Sequence, residues 1–309
     1  MNFSFIDVDL SRVGECPTSR GATLQRSTFL PRYDQPAVRQ RVRDQLEGMR
    51  RSGFTEIRTI IYSGKAPVSA DWFDVVVPDR AARAVRQYIE DVRDAGYSRA
   101  ILAFGMQGVA SPSCRKSEWG DCFDGDAKTN VRFMLAVRRA LGSQPPLAMR
   151  YDIAPELCAP PSLPSLLRSN LVGYVRSIAT MYGAEYPSDE TTSSCIASRF
   201  AEGQPETDRI FAEAGGGPAY FDIHIYQGTR YNLPSILDRP WQKPLIVGET
   251  TYGDSQFLKM TLDQFALQGA QLDAVYFWPL ARISGRCHVD VAPPYTLKGA
   301  SGGLFGPSD

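Results

Sequence analysis

Two carboxylates in this sequence stand where strands end. In KPLIVGETTYG, residues 243–253, the run 244–248 is short and apolar, as a buried parallel strand requires, and Glu249 follows it directly. In PLAMRYDIAPE, Glu156 closes a second such run, with Asp152 four residues before it. Two facing carboxyl groups can share the cleavage of a glycosidic bond. In the retaining form one is the ionised nucleophile and the other the proton donor, about 5–5.5 Å apart. That division requires one carboxylate to be held ionised and the other to keep a raised pKa. Arg58 in TEIRTIIYSG and Tyr226 in YFDIHIYQG are residues suited to hold Glu249 charged. His224 lies two residues before Tyr226 and projects to the same face of its strand. Trp278 in LDAVYFWPL places an aromatic surface at one more strand end.

Bringing these residues together demands a particular frame. Apolar strands alternate with amphipathic helices along the whole chain. NFSFIDVDL is followed by a helix over 36–52, and TEIRTIIYSG by a helix over 79–95. SRAILAFGMQG precedes a helix over 127–141, and PLAMRYDIAPE precedes LRSNLVGYVRSIATMYG. The weaker strand TTSSCIAS leads to the helix PETDRIFAEAGGG, then to YFDIHIYQG and a helical turn at 234–237. PLIVGET, the helix QFLKMTLDQFALQGA and LDAVYFWPL complete the series. Joints such as SGF, AGY and QGA carry the glycine that ends helices. Strict alternation of this kind means parallel strands with right-handed crossovers. Eight such units in 309 residues fit an α/β fold of the (β/α)8 TIM-barrel type, one domain over residues 1–309. The alternative is an open doubly wound sheet. Against it, ECPTSRGATLQRS after the first strand has neither a dinucleotide fingerprint nor a phosphate loop. In a barrel the strand C-termini form the mouth, so Glu249 can end a buried strand and still meet a substrate.

The pattern resembles clan A of the retaining glycoside hydrolases, the superfamily of cellulases, β-mannanases and β-xylosidases. The resemblance implies an acid/base glutamate at the end of strand four and a nucleophile at the end of strand seven. RTIIY is similar to the arginine-bearing second strand, which places Arg58 beside the nucleophile. RYDIAPEL is similar to the fourth-strand motif and maps Asp152 onto its first acid and Glu156 onto the acid/base. FDIHIYQ matches the His-x-Tyr of strand six, so that Tyr226 hydrogen-bonds the nucleophile and His224 lines the sugar site. KPLIVGET resembles the nucleophile strand, and VYFWPL the strand whose tryptophan, here Trp278, floors the first subsite. One departure stands out. The family's asparagine before the acid/base is Pro155 here, and proline cannot make that side-chain hydrogen bond to a sugar 2-hydroxyl.

Plainer roles stand beside these. Asp152 has the option of being a buried partner of Arg58 or Arg150, and His224 a hydrogen-bonded core residue. With two histidines and no HExxH, a catalytic zinc site is not expected, and no cofactor is needed. No GxSxG elbow occurs, and Cys158 lacks a histidine partner for thiol catalysis. Lys plus Arg equals Asp plus Glu at 34 each, so no net field favours nucleic acid. No apolar run is long enough to span a membrane. Six cysteines allow 15 pairings. The barrel narrows them to Cys16–Cys287, Cys114–Cys122 and Cys158–Cys195, which implies a periplasmic or secreted protein whose leader is not in this chain. Six reduced thiols in a cytoplasmic enzyme are the alternative. The expected partner is a polysaccharide or oligosaccharide. A carbohydrate-binding pseudo-enzyme and a lyase or transglycosylase on the same barrel are the competing functions.

Overall fold

The fold is that of a computed structural model, which describes residues 1–3, 30–51, 53–63, 78–106, 124–158, 161–226, 236, 241–250, 255–277, 280–282 and 289–291. Its strands, in chain order, are β1 (Glu56–Ser63), β2 (Arg99–Met106), β3 (Ala148–Asp152), β4 (Glu190–Thr192) and β5 (Cys195–Ile196). They continue as β6 (Phe221–Ile225), β7 (Leu245–Thr250) and β8 (Leu272–Phe277), followed by β9 (Leu280–Arg282) and β10 (Val289–Val291). The helices are α1 (Pro36–Arg51), α2 (Pro78–Asp94), α3 (Asp124–Leu141), α4 (Ser165–Glu185), α5 (Ala197–Glu213) and α6 (Ser255–Leu267).

Two parallel four-stranded ladders, β1-β2-β3-β4 and β5-β6-β7-β8, make up the wall. They join on both sides, so the wall closes into a TIM barrel. On one side residues 1–3 lie between β1 and β8. Asn2 N donates to Phe277 O at 2.9 Å, Phe3 N to Arg58 O at 2.7 Å, and Arg58 N to Met1 O at 2.8 Å. This is the start of the expected first strand; its remainder lies outside the described residues. On the other side the expected fifth strand is divided in two. β4 pairs with β3, β5 pairs with β6, and Ser193 and Ser194 lie between them outside either ladder. Ala219 N donates to Thr191 O and Thr192 Oγ1 to Tyr220 O, both at 2.9 Å, which ties the first half to the chain entering β6. The break explains why this strand reads weakly. Ser, Thr and Cys offer little apolar area, and serine hydroxyls compete for backbone partners.

Period-two alternation sorts the side chains. Ile57, Ile61, Leu102, Phe104 and Tyr151 face outward into an apolar layer shared with α1–α4, while Phe221, Ile223, Ile225, Leu245 and Val247 meet α5 and α6. Ile101, Tyr220, Ile246 and Tyr276 meet inside the barrel. Below them, ion pairs seal the N-terminal face. Arg99 contacts Glu56 at 3.2 Å and Asp273 at 3.1 Å, and Arg150 contacts Glu190 at 2.5 Å and also Asp273.

α5 begins at Ala197, so Pro205 lies within the helix rather than opening it. Packing of Phe200 against Phe221 and Trp241, with centroids 5.7 and 5.9 Å apart, draws the upstream turns into the helix despite the proline. The chain after β8 carries the antiparallel pair β9–β10 beyond the eight barrel strands. Of the turn expected at 234–237, only Ile236, which is buried, lies among the described residues. The helix-ending glycine of AGY, Gly96, takes φ 89°, the left-handed conformation for which glycine is suited.

Candidate active site

Arg58 is completely buried in the barrel interior, and its guanidinium organises what surrounds it. Nη1 donates to Glu249 Oε1 at 2.7 Å and to Asn2 Oδ1 at 3.1 Å. Nη2 donates to Asp152 Oδ2 at 3.0 Å and lies 3.3 Å from His224 Nε2. β1 delivers Arg58 inward because Ile57 and Thr59 on either side face the outer layer, Thr59 bonding Tyr88 at 2.7 Å. β3 delivers Asp152 by the same alternation, with Tyr151 outward. Asp152 Oδ1 accepts from Ser194 N at 3.1 Å, so both its oxygens are engaged. Asp152 is thus paired with Arg58, whereas Arg150 is held by Glu190 and Asp273.

Glu249 breaks the alternation of β7. Leu245 and Val247 face outward and Ile246 inward, so a regular strand would turn residue 248 inward and residue 249 outward. Instead Ile223 pairs with Val247 and His224 with Glu249, leaving Gly248 as an extra residue in β7. This β-bulge reverses the facing of everything after it and puts Glu249 beside His224. Only glycine suits the bulge, because a Cβ there would lie 2.8 Å from Cγ of Asp222 and overlap its carboxyl oxygens. Asn2 Nδ2 donates to Gly248 O at 2.8 Å and to Tyr276 O at 3.1 Å, which fixes the bulged peptide.

The two glutamates have opposed surroundings. Burial opposes ionisation of Glu249, but His224, Arg58 and the Tyr226 hydroxyl, which donates to Oε2 at 2.6 Å, outweigh it. Its pKa falls to about 2, so it is a carboxylate at every ordinary pH. The Glu156 side chain is 40% exposed and has no such guanidinium contact among the described residues; its Oε1 lies 2.8 Å from His224 Nδ1. Burial disfavours the imidazolium of His224, yet Glu249 and the hydrogen bond to Glu156 raise its pKa above the ordinary value. His224 Nδ1 faces Glu156 and Nε2 faces the Arg58 guanidinium, so both ring nitrogens have polar neighbours. One carboxylate oxygen of Glu156 and one of Glu249 lie within 4.8 Å of each other.

Several neighbours of the site have no counterpart among the residues picked from the sequence. Asp222 is fully buried one step below His224, and among the described residues no hydrogen-bond donor reaches its oxygens. Burial is the main cause of its rise to about 7, helped by Asp152 and Glu249 and opposed by Arg58 and His224. The alternation in FDIHIY, with Asp222, His224 and Tyr226 on one face, is the signal that points to it. Asn2, Gly248 and Ser194 give no such signal, since each acts through contacts that exist only in the folded barrel. Asp152, Asp222 and His224 also approach within 4.8 Å as three potential metal ligands. The guanidinium of Arg58 lies among them and supplies the positive charge. Trp278 lies outside the described residues, as do Cys16, Cys287, Cys114 and Cys122. Cys158 and Cys195 form the third expected disulfide, with Cα atoms 5.3 Å apart.

No family model matches the chain, and no curated protein matches it. Solved structures do. The chain is similar to the exo-β-1,4-mannosidase Op5Man5 from Opitutaceae bacterium strain TAV5, with TM-score 0.56 and 12% identity over 84% of this chain and 51% of that one. It is similar to a GH5_18 protein from Bifidobacterium longum subsp. infantis, with TM-score 0.54 and 15% identity over 82% and 67%. A GH5_18 protein from Streptomyces cattleya in complex with Manb1-4GlcNAc gives TM-score 0.51 and 14% identity over 77% and 65%. The chain spans about half the length of the first of these and about two thirds of the other two. The likeness is one of fold, the TIM barrel.

Proposed function

We propose that this chain is a retaining glycoside hydrolase, with residues 1–309 forming one (β/α)8 catalytic domain. The observation that carries the reading is the pair Glu156 and Glu249, with oxygens within 4.8 Å and opposed surroundings at one barrel mouth. That closeness is in keeping with a retaining pair, whose carboxyl groups are about 5–5.5 Å apart, rather than with the roughly 6.5–9.5 Å of an inverting pair. Glu249, ionised by Arg58 and Tyr226, attacks the anomeric carbon. Glu156 protonates the departing oxygen, which completes the glycosyl–enzyme ester. It then takes a proton from the water that cleaves that ester, so the sugar leaves with its configuration retained. Asp152 and Asn2 hold Arg58 in place, His224 orients Glu156, and Trp278 floors the sugar site.

The substrate is a polysaccharide or oligosaccharide, and the solved relatives make β-mannosides the first to try. The Cys158–Cys195 disulfide supports an oxidising compartment, periplasmic or extracellular, with Cys16–Cys287 and Cys114–Cys122 as further bridges. No helix among the described residues is long and apolar enough to cross a membrane.

A second reading, a carbohydrate-binding protein without turnover, rests on Pro155, which cannot contact the sugar as asparagine does. The test is release of reducing ends from β-mannan, β-glucan and β-xylan oligosaccharides by wild type, Glu249→Gln and Glu156→Gln. Turnover by the wild type and its loss in both variants is the expected result. Equal turnover by Glu249→Gln overturns the nucleophile assignment. Glycan binding without turnover by the wild type establishes the second reading.

A further inference from the structure

Glu156 is the non-glycine residue with positive φ among the described residues, at 61°. A side chain rarely sits in that conformation unless its surroundings hold it there. Pro155, immediately before it, contributes a rigid φ but no N–H. The holding is done from the divided strand opposite, rung by rung. Ile153 N donates to Thr192 O at 3.0 Å, and Ser193 Oγ donates to Ala154 O at 2.8 Å. Ser194 N donates to Asp152 Oδ1 at 3.1 Å, and Glu156 N donates to Ser194 Oγ at 3.1 Å. The final rung is covalent: Cys158, two residues past Glu156, is bonded to Cys195, the residue after Ser194. Both cysteines are fully buried, so this rung is anchored in the core rather than on a mobile surface.

We infer that the Cys158–Cys195 disulfide, together with Ser194, is a positioning device for Glu156. It clamps the left-handed turn that aims the carboxyl at His224 and at the glycosidic oxygen, and it supplies the rigidity of the segment that Pro155 opens. The inference rests on the acid/base role proposed above for Glu156. A bridge serving only global stability would be as useful anywhere in the wall. This one closes directly on the residues that flank the strained glutamate, and its strand partner contributes the hydroxyl that takes the glutamate's own N–H.

The test is the double variant Cys158→Ala/Cys195→Ala, which leaves no unpaired buried thiol. It is assayed by kcat/KM on 2,4-dinitrophenyl and phenyl β-glycosides of whichever sugar, mannose, glucose or xylose, the wild type turns over fastest. A dinitrophenolate departs without a proton, whereas phenolate departure depends on the donor. Loss of a well-placed general acid therefore lowers kcat/KM on the phenyl glycoside about 10- to 100-fold and leaves the dinitrophenyl glycoside within about twofold. An equal fall on both substrates, or no fall on either, overturns the inference. Should the double variant fail to fold, Ser194→Ala removes the acceptor of the Glu156 N–H alone and is required to show the same dependence on leaving group.

A second readout needs no turnover. With two histidines in the chain, the Nδ1 proton of His224 is assignable by proton NMR against a His288→Gln reference. In the double variant that resonance is lost to exchange with water if Glu156 is released, and an unchanged resonance overturns the inference. A wild type inactive on all the glycosides, with the His224 resonance lost on removing the bridge, leaves the clamp standing and removes only the glycosidase reading.

Discussion

Arg58 and Arg150 each sit between two carboxylates in the same barrel, and the two clusters have different purposes. Arg150 lies at the N-terminal face, where its partners Glu190 and Asp273 are 55% and 30% exposed. Water and salt share in those contacts, so their worth is small and their geometry forgiving. Arg58 is wholly buried, as is its partner Asp152, while Glu249 is 7% exposed. There each charge depends on the others, because removal of one leaves the rest unpaired in a medium that solvates them poorly. The lower cluster seals the barrel; the upper one holds a charge at the C-terminal ends of the strands. The arginine count is the same, and burial decides the use.

Substitutions in and around the two clusters separate their roles. Glu249→Gln is expected to lower kcat about 10⁴-fold or more, the scale on which one member of a concerted set acts, measured on the best glycoside found. Arg58→Met strands Asp152 and Glu249 and is expected to cost about 3–5 kcal/mol in urea unfolding. Arg150→Met is expected to cost about 0–1 kcal/mol, and a loss equal to that of Arg58→Met would erase the distinction. Gly248→Ala forces a methyl group into the Asp222 carboxyl and is expected to destabilise by about 1–3 kcal/mol, with activity falling further as the bulge shifts. A further effect is a slope. Asp222 has its folded pKa raised to about 7, so its contribution to stability is full at acid pH and is lost as pH rises through about 7. Glu249 has the opposite sign: with a folded pKa of about 2, its contribution is present above the ordinary carboxylate range and lost only as pH falls towards 2. Asp222→Asn therefore flattens the decline in stability between the ordinary carboxylate pKa and neutrality, as followed by thermal unfolding against pH. An unaltered slope would mean that Asp222 is ionised and paired in the folded chain.

What was legible in the sequence follows from how far each interaction reaches. Strand ends, helix stops and the alternation of FDIHIY are local, and they locate Arg58, Asp152, His224, Tyr226 and Glu249 before any contact is known. The bulge at Gly248 is not local. PLIVGET reads as a regular strand, and only its pairing with β6 shows that one residue is extra and that Glu249 is thereby turned inward. The division of the fifth strand into β4 and β5 is hidden for a similar reason, since each half takes its partner from a different sheet. α5 is misread at its start because proline is a stronger local signal than the aromatic packing of Phe200 that overrides it.

The closure made by residues 1–3 carries a consequence for how the chain reaches its fold. Asn2 bonds Gly248 and Tyr276, partners 246 and 274 positions away, and it also bonds Arg58. Contacts so distant along the chain are entropically late and slow to form. On a ribosome adding about 5–20 residues per second, β1 and its buried arginine wait for tens of seconds before β7 and β8 exist to meet them. Until then Arg58 has no Glu249 to pair with, and the open edges of two half-barrels are exposed to other chains. A nascent chain stalled short of β7 therefore holds a cation built for an interior that does not yet exist, which makes such partial chains natural clients for chaperones and proteases.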